Sequence, residues 1–177
     1  LLLTKNCRNT YEIARTSYNV IDISLDKKIM MINGEQTSIS FVKGDPIGRI
    51  AKLLRILTGD DYGYEYSDIV ILSLKTEENS ILSQTNKIAG IPITRERNNS
   101  SVLFTTASKF KGLESCVVII VDIDENAFSN EEKKRIFYVA CSRATQYLNL
   151  FISGDEEKIK TIADSISSRG HFAPRGR

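Results

Sequence analysis

Three short segments carry residues whose types and spacing could bind a ligand. Residues 105–114, Thr-Thr-Ala-Ser-Lys-Phe-Lys-Gly-Leu-Glu, place hydroxyls, two lysines, a glycine and a carboxylate between two apolar runs. A loop at the carboxyl end of a parallel strand is where open α/β sheets bind their ligands. Residues 136–144 and 3–10 each place one arginine, Arg143 and Arg8, at a junction between a helix and a strand. Each segment alone has a plainer interpretation: a solvated turn, an arginine that complements a helix C-terminus, and a surface arginine beside a helix cap.

The composition is that of an ordinary globular domain. Of the 177 residues, 41% are hydrophobic and 26% are charged, which excludes a disordered tail, a collagen-like fibre and a coiled coil. The longest apolar run, Val117 to Val121, is too short to cross a membrane, which takes about 20 residues. Nothing at the start of the chain resembles a signal peptide. We therefore expect a cytoplasmic protein without a membrane partner.

The charge and the numbers of cysteines and histidines exclude several kinds of site. The 24 Lys and Arg residues against 22 Asp and Glu give a net charge of +2, which is no strongly basic footprint for nucleic acid. Any nucleic-acid contact must rest on a few placed groups or on a partner domain. The 3 cysteines are widely spaced and the one histidine, His171, lies near the end of the chain. These counts exclude a disulfide framework, a zinc site and a histidine-based catalytic triad.

The hydrophobic pattern predicts strands alternating with helices, which indicates a doubly wound, mostly parallel sheet flanked by helices. The predicted helices cover residues 10–17, 46–57, 76–89, 129–142 and 155–166, and the predicted strands 69–72, 102–105, 117–121 and 147–152. Asn9 and Ser129 are the expected N-caps of two of these helices. We expect one domain over residues 1–167 and a basic, disordered tail over residues 168–177.

One segment departs from this alternation. Asn33-Gly34 separates the apolar run that ends at Ile32 from an alternating stretch that reaches Val42. Asn-Gly between two such runs is a strong hairpin signal, because both turn positions need positive φ. The sequence therefore predicts a small β-hairpin excursion near residues 28–42.

Taken in order, the three segments resemble motifs of the second RecA-like domain of superfamily 1 DNA helicases of the UvrD/Rep/PcrA type, which have a P-loop NTPase fold. Leu3–Asn9 resembles motif IV (Q-N-Y-R-S), Thr106–Glu114 resembles motif V (T-x-H-x-x-K-G-L-E), and Tyr138–Ala144 resembles motif VI (Y-V-A-x-[ST]-R-A). Asp68–Leu72 and Ile88–Pro92 fit two further family segments, so the resemblance covers essentially the whole chain. The large helical insertion of UvrD-like enzymes is missing, because the connection from the first helix to residue 68 is short.

The resemblance implies an ATP site between two domains. A first RecA-like domain of the same polypeptide would supply the phosphate loop and the ligands of Mg²⁺, and the second domain would supply arginines that offset charge on the γ-phosphate. By motif match, Arg143 is the catalytic arginine finger and Arg8 its companion. The other nucleotide-contacting residues implied are Cys7, Lys111, Gly112 and Glu114. Glu114 would hydrogen-bond the ribose, and Cys7 stands where the family has a tyrosine that stacks on adenine.

The resemblance also implies a DNA contact. Thr106, Ser108 and Lys109 fall where the family touches single-stranded DNA, with Ser108 in place of the usual histidine, so single-stranded and duplex DNA are the expected partners. The chain has no G-x-x-x-x-G-K-[ST] and begins with leucines, which predicts half of an ATPase cut from a longer polypeptide and inactive alone. The alternative is a non-catalytic RecA-like module that binds DNA or a protein partner.

Overall fold

The computed structural model describes residues 8–23, 32–42, 44–153 and 156–167. The described helices are α1 (Tyr11–Val20), α2 (Pro46–Leu57), α3 (Glu131–Cys141) and α4 (Glu156–Ser167). The described strands are β1 (Ser38–Val42), β2 (Ile69–Ser73), β3 (Lys87–Ile88), β4 (Ile91–Thr94), β5 (Val102–Thr106), β6 (Ser115–Ile123) and β7 (Ala144–Ser153). None of these helices is long and apolar enough to cross a membrane. Cys7 and the tail over residues 168–177 lie outside the described residues, so the predictions made for them stay predictions.

The described strands form a single sheet in the order β1-β7-β6-β2-β5-β4-β3. β3 and β4 pair antiparallel, whereas the other pairings in the described part of the sheet are parallel. Consecutive central strands run the same way, so each connection must cross a face of the sheet. The mixed, mostly parallel sheet with flanking helices confirms the predicted α/β class.

Helices cover both faces because the central strands are apolar on both sides. Val118 and Ile120 of β6 point into a core with α1, α3 and α4, whereas Val117 and Ile119 point into a second core with α2. The five residues of β2 are all buried, as expected for a strand covered on both faces. The two cores sandwich the sheet and hold its edges, where the strands meet their connecting loops, in fixed positions.

Two of the predicted helix caps are displaced by one residue. Thr10, rather than Asn9, caps α1: its hydroxyl accepts a hydrogen bond from the amide of Ile13 at 3.4 Å. Asn130, rather than Ser129, caps α3, because Ser129 ends the preceding 3₁₀ helix and its hydroxyl donates to a carbonyl of that turn. In both cases the residue next to the predicted cap has the extended backbone that a cap requires. Because Thr10 is the cap, the side chain of Asn9 is available for contacts with a distant part of the chain.

The predicted hairpin near residues 28–42 is wrong in its described part. Ser38–Val42 is the edge strand β1, which pairs in parallel with β7 and belongs to the main sheet. Neither Asn33 nor Gly34 has a positive φ, so the expected tight turn does not form. Ile39 packs against the core on the α1 face, and that burial outweighs the local turn preference. The first strand of the predicted hairpin lies among residues 24–31, outside the described residues.

The predicted helix over residues 76–89 is also wrong. A 3₁₀ turn at Glu77–Asn79 is followed by turns and then by the β3–β4 hairpin. The buried Asp122 carboxylate accepts hydrogen bonds from the Ser80 hydroxyl at 2.6 Å and from the Ile81 amide at 3.1 Å. A tertiary partner thus takes the backbone and side-chain donors that a helix would use internally.

Candidate functional site

The predicted site residues divide between the two ends of the parallel strands. Thr106 ends β5 beside Ser73, and both lie at the level of Val121, near the carboxyl edge of the sheet. Glu114 and Arg143 directly precede β6 and β7 and lie at the amino edge. Ser115 and Val121 are six residues apart on β6, so the two edges are separated by about 20 Å. The 107–114 loop spans this distance, which corrects the expectation that the whole segment lies at a carboxyl edge.

At the amino edge the structure brings together three charged residues from three separate segments, here called the arginine cluster: Arg8, Glu114 and Arg143. Arg8 Nε lies 3.1 Å from Glu114 Oε2, and both side chains are 54% exposed. A terminal nitrogen of Arg143 donates to the carbonyl of Leu113, the residue before Glu114, and the charges of Arg8 and Glu114 both act on the pKa of Arg143. The resemblance to family motifs assigned these residues to one site. The fold makes them neighbours, although Arg8 and Glu114 are more than a hundred residues apart in the chain.

Arg143 lies in the two-residue connection between α3 and β7, and its side chain is tied to its surroundings. Its Nε donates to the Val139 carbonyl at 3.1 Å, and its terminal nitrogens donate to the Leu113 carbonyl at 3.3 Å and the Ser142 hydroxyl at 3.1 Å. Partial burial, helped by the nearby Arg8 cation, lowers the pKa of Arg143, whereas Glu114 and Tyr138 oppose that shift. An arginine stays protonated throughout the range in which proteins fold. Arg143 is therefore a half-buried, permanent cation on an open edge.

The backbone around Arg143 is held as well. The Arg143 carbonyl accepts from the Ser115 amide at 3.1 Å, which joins the starts of β6 and β7. The Asn9 amide nitrogen donates to the Ser142 carbonyl at 2.9 Å and to the Ala144 carbonyl at 2.5 Å. The sequence analysis assigned Asn9 to a helix cap and missed this contact. No local pattern could reveal it, because the partners lie 133 and 135 positions away in the chain.

At the carboxyl edge, the start of the 107–114 loop is a tight turn. The Thr106 hydroxyl accepts from the Lys109 amide at 3.3 Å, and the Thr106 carbonyl accepts from the Phe110 amide at 3.1 Å. Thr106 is buried, whereas Ser108 and Lys109 are exposed. Thr106 therefore shapes the turn, and the next exposed residues carry the groups that a ligand can reach.

Gly112 lies further along the same loop with a φ of 88°. A side chain there would meet no atom within 4 Å, so its positive φ, rather than crowding, is what favours glycine. The bend at Gly112 turns the chain toward the amino edge, where Glu114 joins the arginine cluster.

Lys109 is held by an ionic network that the sequence analysis did not identify. Lys109 Nζ lies 2.9 Å from Glu77 Oε2, and Arg95 Nε lies 3.2 Å from Glu77 Oε1. Arg95 also donates to three carbonyls of residues 82–85 and stacks over the Phe104 ring at 4.7 Å. The Lys109 hydrogen bond is the main cause of a lowered pKa for Glu77, and the same bond raises the pKa of Lys109. Glu77 belongs to the segment predicted as a helix over residues 76–89, and that prediction gave no sign of this role.

Two open grooves flank α3 near the carboxyl edge. One, of about 350 Å³, lies between the 107–114 loop and α3 and contains Ser108, Lys111 and Arg135. Lys111 thus lines the same groove as Ser108, one of the residues predicted to contact DNA. The second groove, of about 510 Å³, contains Lys75 and Lys133 but also Asp122 and Asp124, and Lys75 Nζ lies 3.0 Å from Asp124 Oδ2. Lysine, arginine and hydroxyl groups along a groove are the donors that nucleic-acid backbones accept from.

The donor set of the arginine cluster fits a nucleotide. Two guanidinium groups match the oxygens of a polyphosphate, and a carboxylate accepts from sugar hydroxyls. Among the described residues, no group of three or more histidine, cysteine or acidic side chains could hold a metal ion. The described chain therefore has two guanidinium groups and a carboxylate together at one edge, and two grooves of mixed charge at the other.

Part of the chain matches a known protein family, and a solved structure has a similar fold. Residues 101–151 match the family of UvrD-like helicase C-terminal domains, a span that includes β5, the 107–114 loop and Arg143. No curated protein sequence matches the chain. The solved C-terminal domain of a possible DNA helicase from Lactobacillus plantarum WCFS1 has a similar fold, with a TM-score of 0.62 and 18% sequence identity over 84% of this chain and 88% of that one. At this identity the structural likeness shows the fold alone.

The family match covers residues 101–151, less than a third of the chain, and it shows a similarity over that span. The chain has an α/β fold consistent with a RecA-like helicase domain, and the predicted resemblance to UvrD-like helicase C-terminal domains is confirmed.

Proposed function

We propose that this chain is the second motor domain of an ATP-dependent DNA helicase or translocase. The observation that carries the proposal is the meeting of Arg8, Glu114 and Arg143 at one open edge of the sheet. They come from three distant segments, and each matches the family motif in residue type. A surface arginine beside a helix cap and an arginine at a helix end, taken separately, give no reason for this convergence.

In the proposed ATPase, the arginine cluster faces a first RecA-like domain across the nucleotide. That domain supplies the phosphate loop and holds Mg²⁺, which neutralises charge on the phosphates. Arg143 offers a planar fork of donors to phosphate oxygens, and Arg8 adds a second cation beside it. Glu114 accepts hydrogen bonds from the ribose when ATP is bound and pairs with Arg8 when the edge is free.

The carboxyl edge is the proposed DNA contact. Ser108 and Lys109 are exposed at the turn that Thr106 shapes, and Lys111 and Arg135 line the neighbouring groove. These groups suit the sugar–phosphate backbone, which positions a strand without reading its sequence. Because the proposed ATP and DNA contacts lie at opposite ends of one loop, a movement of the 107–114 loop would shift the residues at both contacts.

A second candidate function is a non-catalytic module that keeps the RecA-like fold for binding. The observation that favours it is the pairing of Lys109 with Glu77, which reduces the positive charge offered to DNA. The intact arginine cluster favours the motor domain, because a binding module has no use for two cations beside a nucleotide. A phosphate-loop domain in the same polypeptide separates the two candidates.

The test of the proposed function is the substitution of Arg143 in a polypeptide that joins this chain to its phosphate-loop domain. We expect Arg143→Ala to reduce DNA-stimulated ATP turnover on the order of a thousandfold or more, with nucleotide affinity largely kept. Arg143→Lys should rescue little, because an ammonium group is a point charge without the planar fork. ATPase rate, nucleotide affinity and melting temperature are measured on the same samples.

Arg55 provides a matched control. It is an exposed arginine in the last turn of α2, on the other face of the sheet from α3. If Arg143 only complemented a helix C-terminus, both alanine variants would lose ~0.3–1 kcal/mol of stability and keep normal turnover. Near-normal turnover in Arg143→Ala would refute the proposed role.

A further inference from the structure

The side chain of Asn9 spans the connection that carries Arg143. Asn9 is only 5% exposed, and its amide nitrogen donates to the carbonyls of Ser142 and Ala144, the two residues on either side of Arg143. Both partners are carbonyl oxygens, which only accept, so the amide nitrogen rather than the amide oxygen must face them. One side chain therefore holds the peptide groups on both sides of the candidate finger.

The connection needs such a partner because of where it lies. α3 ends at Cys141 and β7 begins at Ala144, so Ser142 and Arg143 are the whole link between a helix and a strand. Carbonyls at the end of a helix lack partners within the helix and must find them elsewhere. The Arg143 carbonyl is already taken by the Ser115 amide, and the carbonyls on either side of it are taken by Asn9.

We propose that Asn9 is a positioning residue for Arg143, an inference that rests on the proposed function. The Asn9 side chain donates to the backbone on both sides of Arg143, and so fixes the backbone from which the guanidinium group projects. Asn9 also directly follows Arg8, whose guanidinium pairs with Glu114. The Arg8-Asn9 dipeptide therefore carries one cation of the arginine cluster and fixes the backbone of the other. Errors of about 1 Å in the placement of a catalytic group cost on the order of a hundredfold in rate.

α1 provides a matched control for this proposal. Asn19 is also buried, and its amide nitrogen donates to the Ile166 carbonyl at 2.6 Å. It lies ten residues further along the chain, about 15 Å along the helix, and joins α1 to α4 rather than to Arg143. Asn9→Ala and Asn19→Ala each remove a buried amide that bonds the backbone, but only the first removes support from Arg143.

The activity test uses the polypeptide that includes the phosphate-loop domain. We expect Asn9→Ala to lower kcat by about tenfold to a hundredfold with little change in the KM for ATP, because the arginine acts on the transition state. Asn9→Asp keeps the size but points a carboxylate at two carbonyls, and should lower kcat at least as far. Asn19→Ala should lower the melting temperature and leave kcat unchanged. Asn9→Ser keeps one short donor and replaces Asn9→Ala in the assay if that variant does not fold.

A second readout is independent of catalysis. In this chain alone, the Arg143 Nε–H donates to the Val139 carbonyl, and its NMR signal is identified by its loss in Arg143→Lys. We expect Asn9→Ala to move this signal toward that of a solvent-exposed arginine and to speed its exchange with water, whereas Asn19→Ala should leave it in place.

The outcomes separate the inference from the proposed function. Normal turnover in Arg143→Ala refutes the proposed function, and the NMR signal then decides whether Asn9 positions the arginine. If Arg143→Ala loses turnover while the Asn9 variants keep kcat, the positioning role is overturned. Equal effects of Asn9→Ala and Asn19→Ala on kcat and on the Arg143 signal overturn it as well.

Discussion

At the scale of single residues, the cations of this protein differ in how firmly they are held. Arg143 makes three side-chain hydrogen bonds within its own domain, and Arg8 forms an ion pair with Glu114 at an exposed surface. A phosphate that displaces these partners offers stronger, charge-assisted bonds in return. Lys109 has a carboxylate partner at 2.9 Å, so a DNA phosphate must compete with Glu77 for it.

The Glu77 pair gives a prediction about pH and stability. Since the Lys109 hydrogen bond holds the pKa of Glu77 below its ordinary value of 4.5, the carboxylate stabilises the fold above that value. This contribution is lost as the pH falls through the lower, folded-state pKa. We expect Glu77→Gln to lower stability by ~0–1 kcal/mol at neutral pH, because the pair is partly exposed. The difference from the parent chain should vanish under acidic conditions, as measured by thermal unfolding against pH.

Glu78 is the control for this prediction. Glu78→Gln removes the same charge from the neighbouring position. Glu78 acts on Lys109 only through space, without a hydrogen bond. Glu78→Gln should therefore change stability less than Glu77→Gln at neutral pH. A Glu77→Gln variant whose stability deficit stays constant down to acidic pH would contradict the proposed network.

At the scale of elements, the end of β6 shapes the carboxyl edge. β6 is irregular between Ile120 and Ile123, and Asp122 there has a φ of 62°. The bulge points the Asp122 carboxylate inward, where it accepts from Ser73 at 2.7 Å and from Ser80 and Ile81. These hydrogen bonds to a buried carboxylate hold the segment after β2, which contains Ser80 and Ile81, against the edge of the sheet. The irregular path of residues 74–86 is therefore a consequence of β6.

The β3–β4 hairpin gives a prediction about local strain. Ile88 pairs with Ile91, so Ala89 and Gly90 form a two-residue turn, with φ of 51° and 90°. Such a turn needs positive φ at both positions, which alanine tolerates poorly and asparagine tolerates better. We expect Ala89→Asn to stabilise the protein by about 0.5–1 kcal/mol, and Gly90→Ala to destabilise it by about 1 kcal/mol. Urea unfolding curves measure both changes.

The two substitutions control each other, since both positions are exposed. A side chain at Gly90 would meet no atom within 4 Å, so packing cannot explain its cost. A neutral Gly90→Ala, or an Ala89→Asn variant less stable than the parent, would show that this turn is not the one described.

At the scale of the whole molecule, the chain presents one half of the proposed machine. The proposed ATP and DNA contacts lie about 20 Å apart on opposite edges of one sheet, joined by the 107–114 loop. The rest of the nucleotide site is expected from another domain, as is much of the charge that attracts DNA, since the net charge here is only +2. We therefore expect substrate binding to depend on the assembled polypeptide.

This division gives a prediction for the chain alone. We expect the purified 177-residue chain to hydrolyse no ATP above the buffer rate and to unwind no duplex, because half a site cannot position the γ-phosphate. Its affinity for single-stranded DNA at physiological salt should be weaker than about 1 μM, since few basic groups are exposed to the strand. Filter binding and a coupled ATPase assay measure both. An ATPase rate abolished by Arg143→Ala, or sub-micromolar DNA binding, would contradict this expectation.

The sequence by itself determined the class of fold, most of its elements and the grouping of the arginine cluster. Apolar runs such as Val117 to Val121 specify buried strands, and the spacing of apolar residues in α2 specifies its buried face, because both signals are local in the chain. The resemblance of three segments to motifs of UvrD-like helicases implied that Arg8, Glu114 and Arg143 share one site. The sequence could not show how near they lie, nor that Glu114 pairs with Arg8.

Only the tertiary structure decided where several other segments go. β1 joined the main sheet against a strong turn signal, because burial of Ile39 beside β7 outweighs a two-residue preference. Residues 76–89 do not form the predicted helix, because the Ser80 hydroxyl and the Ile81 amide donate hydrogen bonds to the Asp122 carboxylate, which lies more than 40 residues later in the chain. Asn9 bonds carbonyls 133 and 135 positions away. Contacts between distant segments depend on how whole layers pack, and no local pattern of residue types encodes that packing.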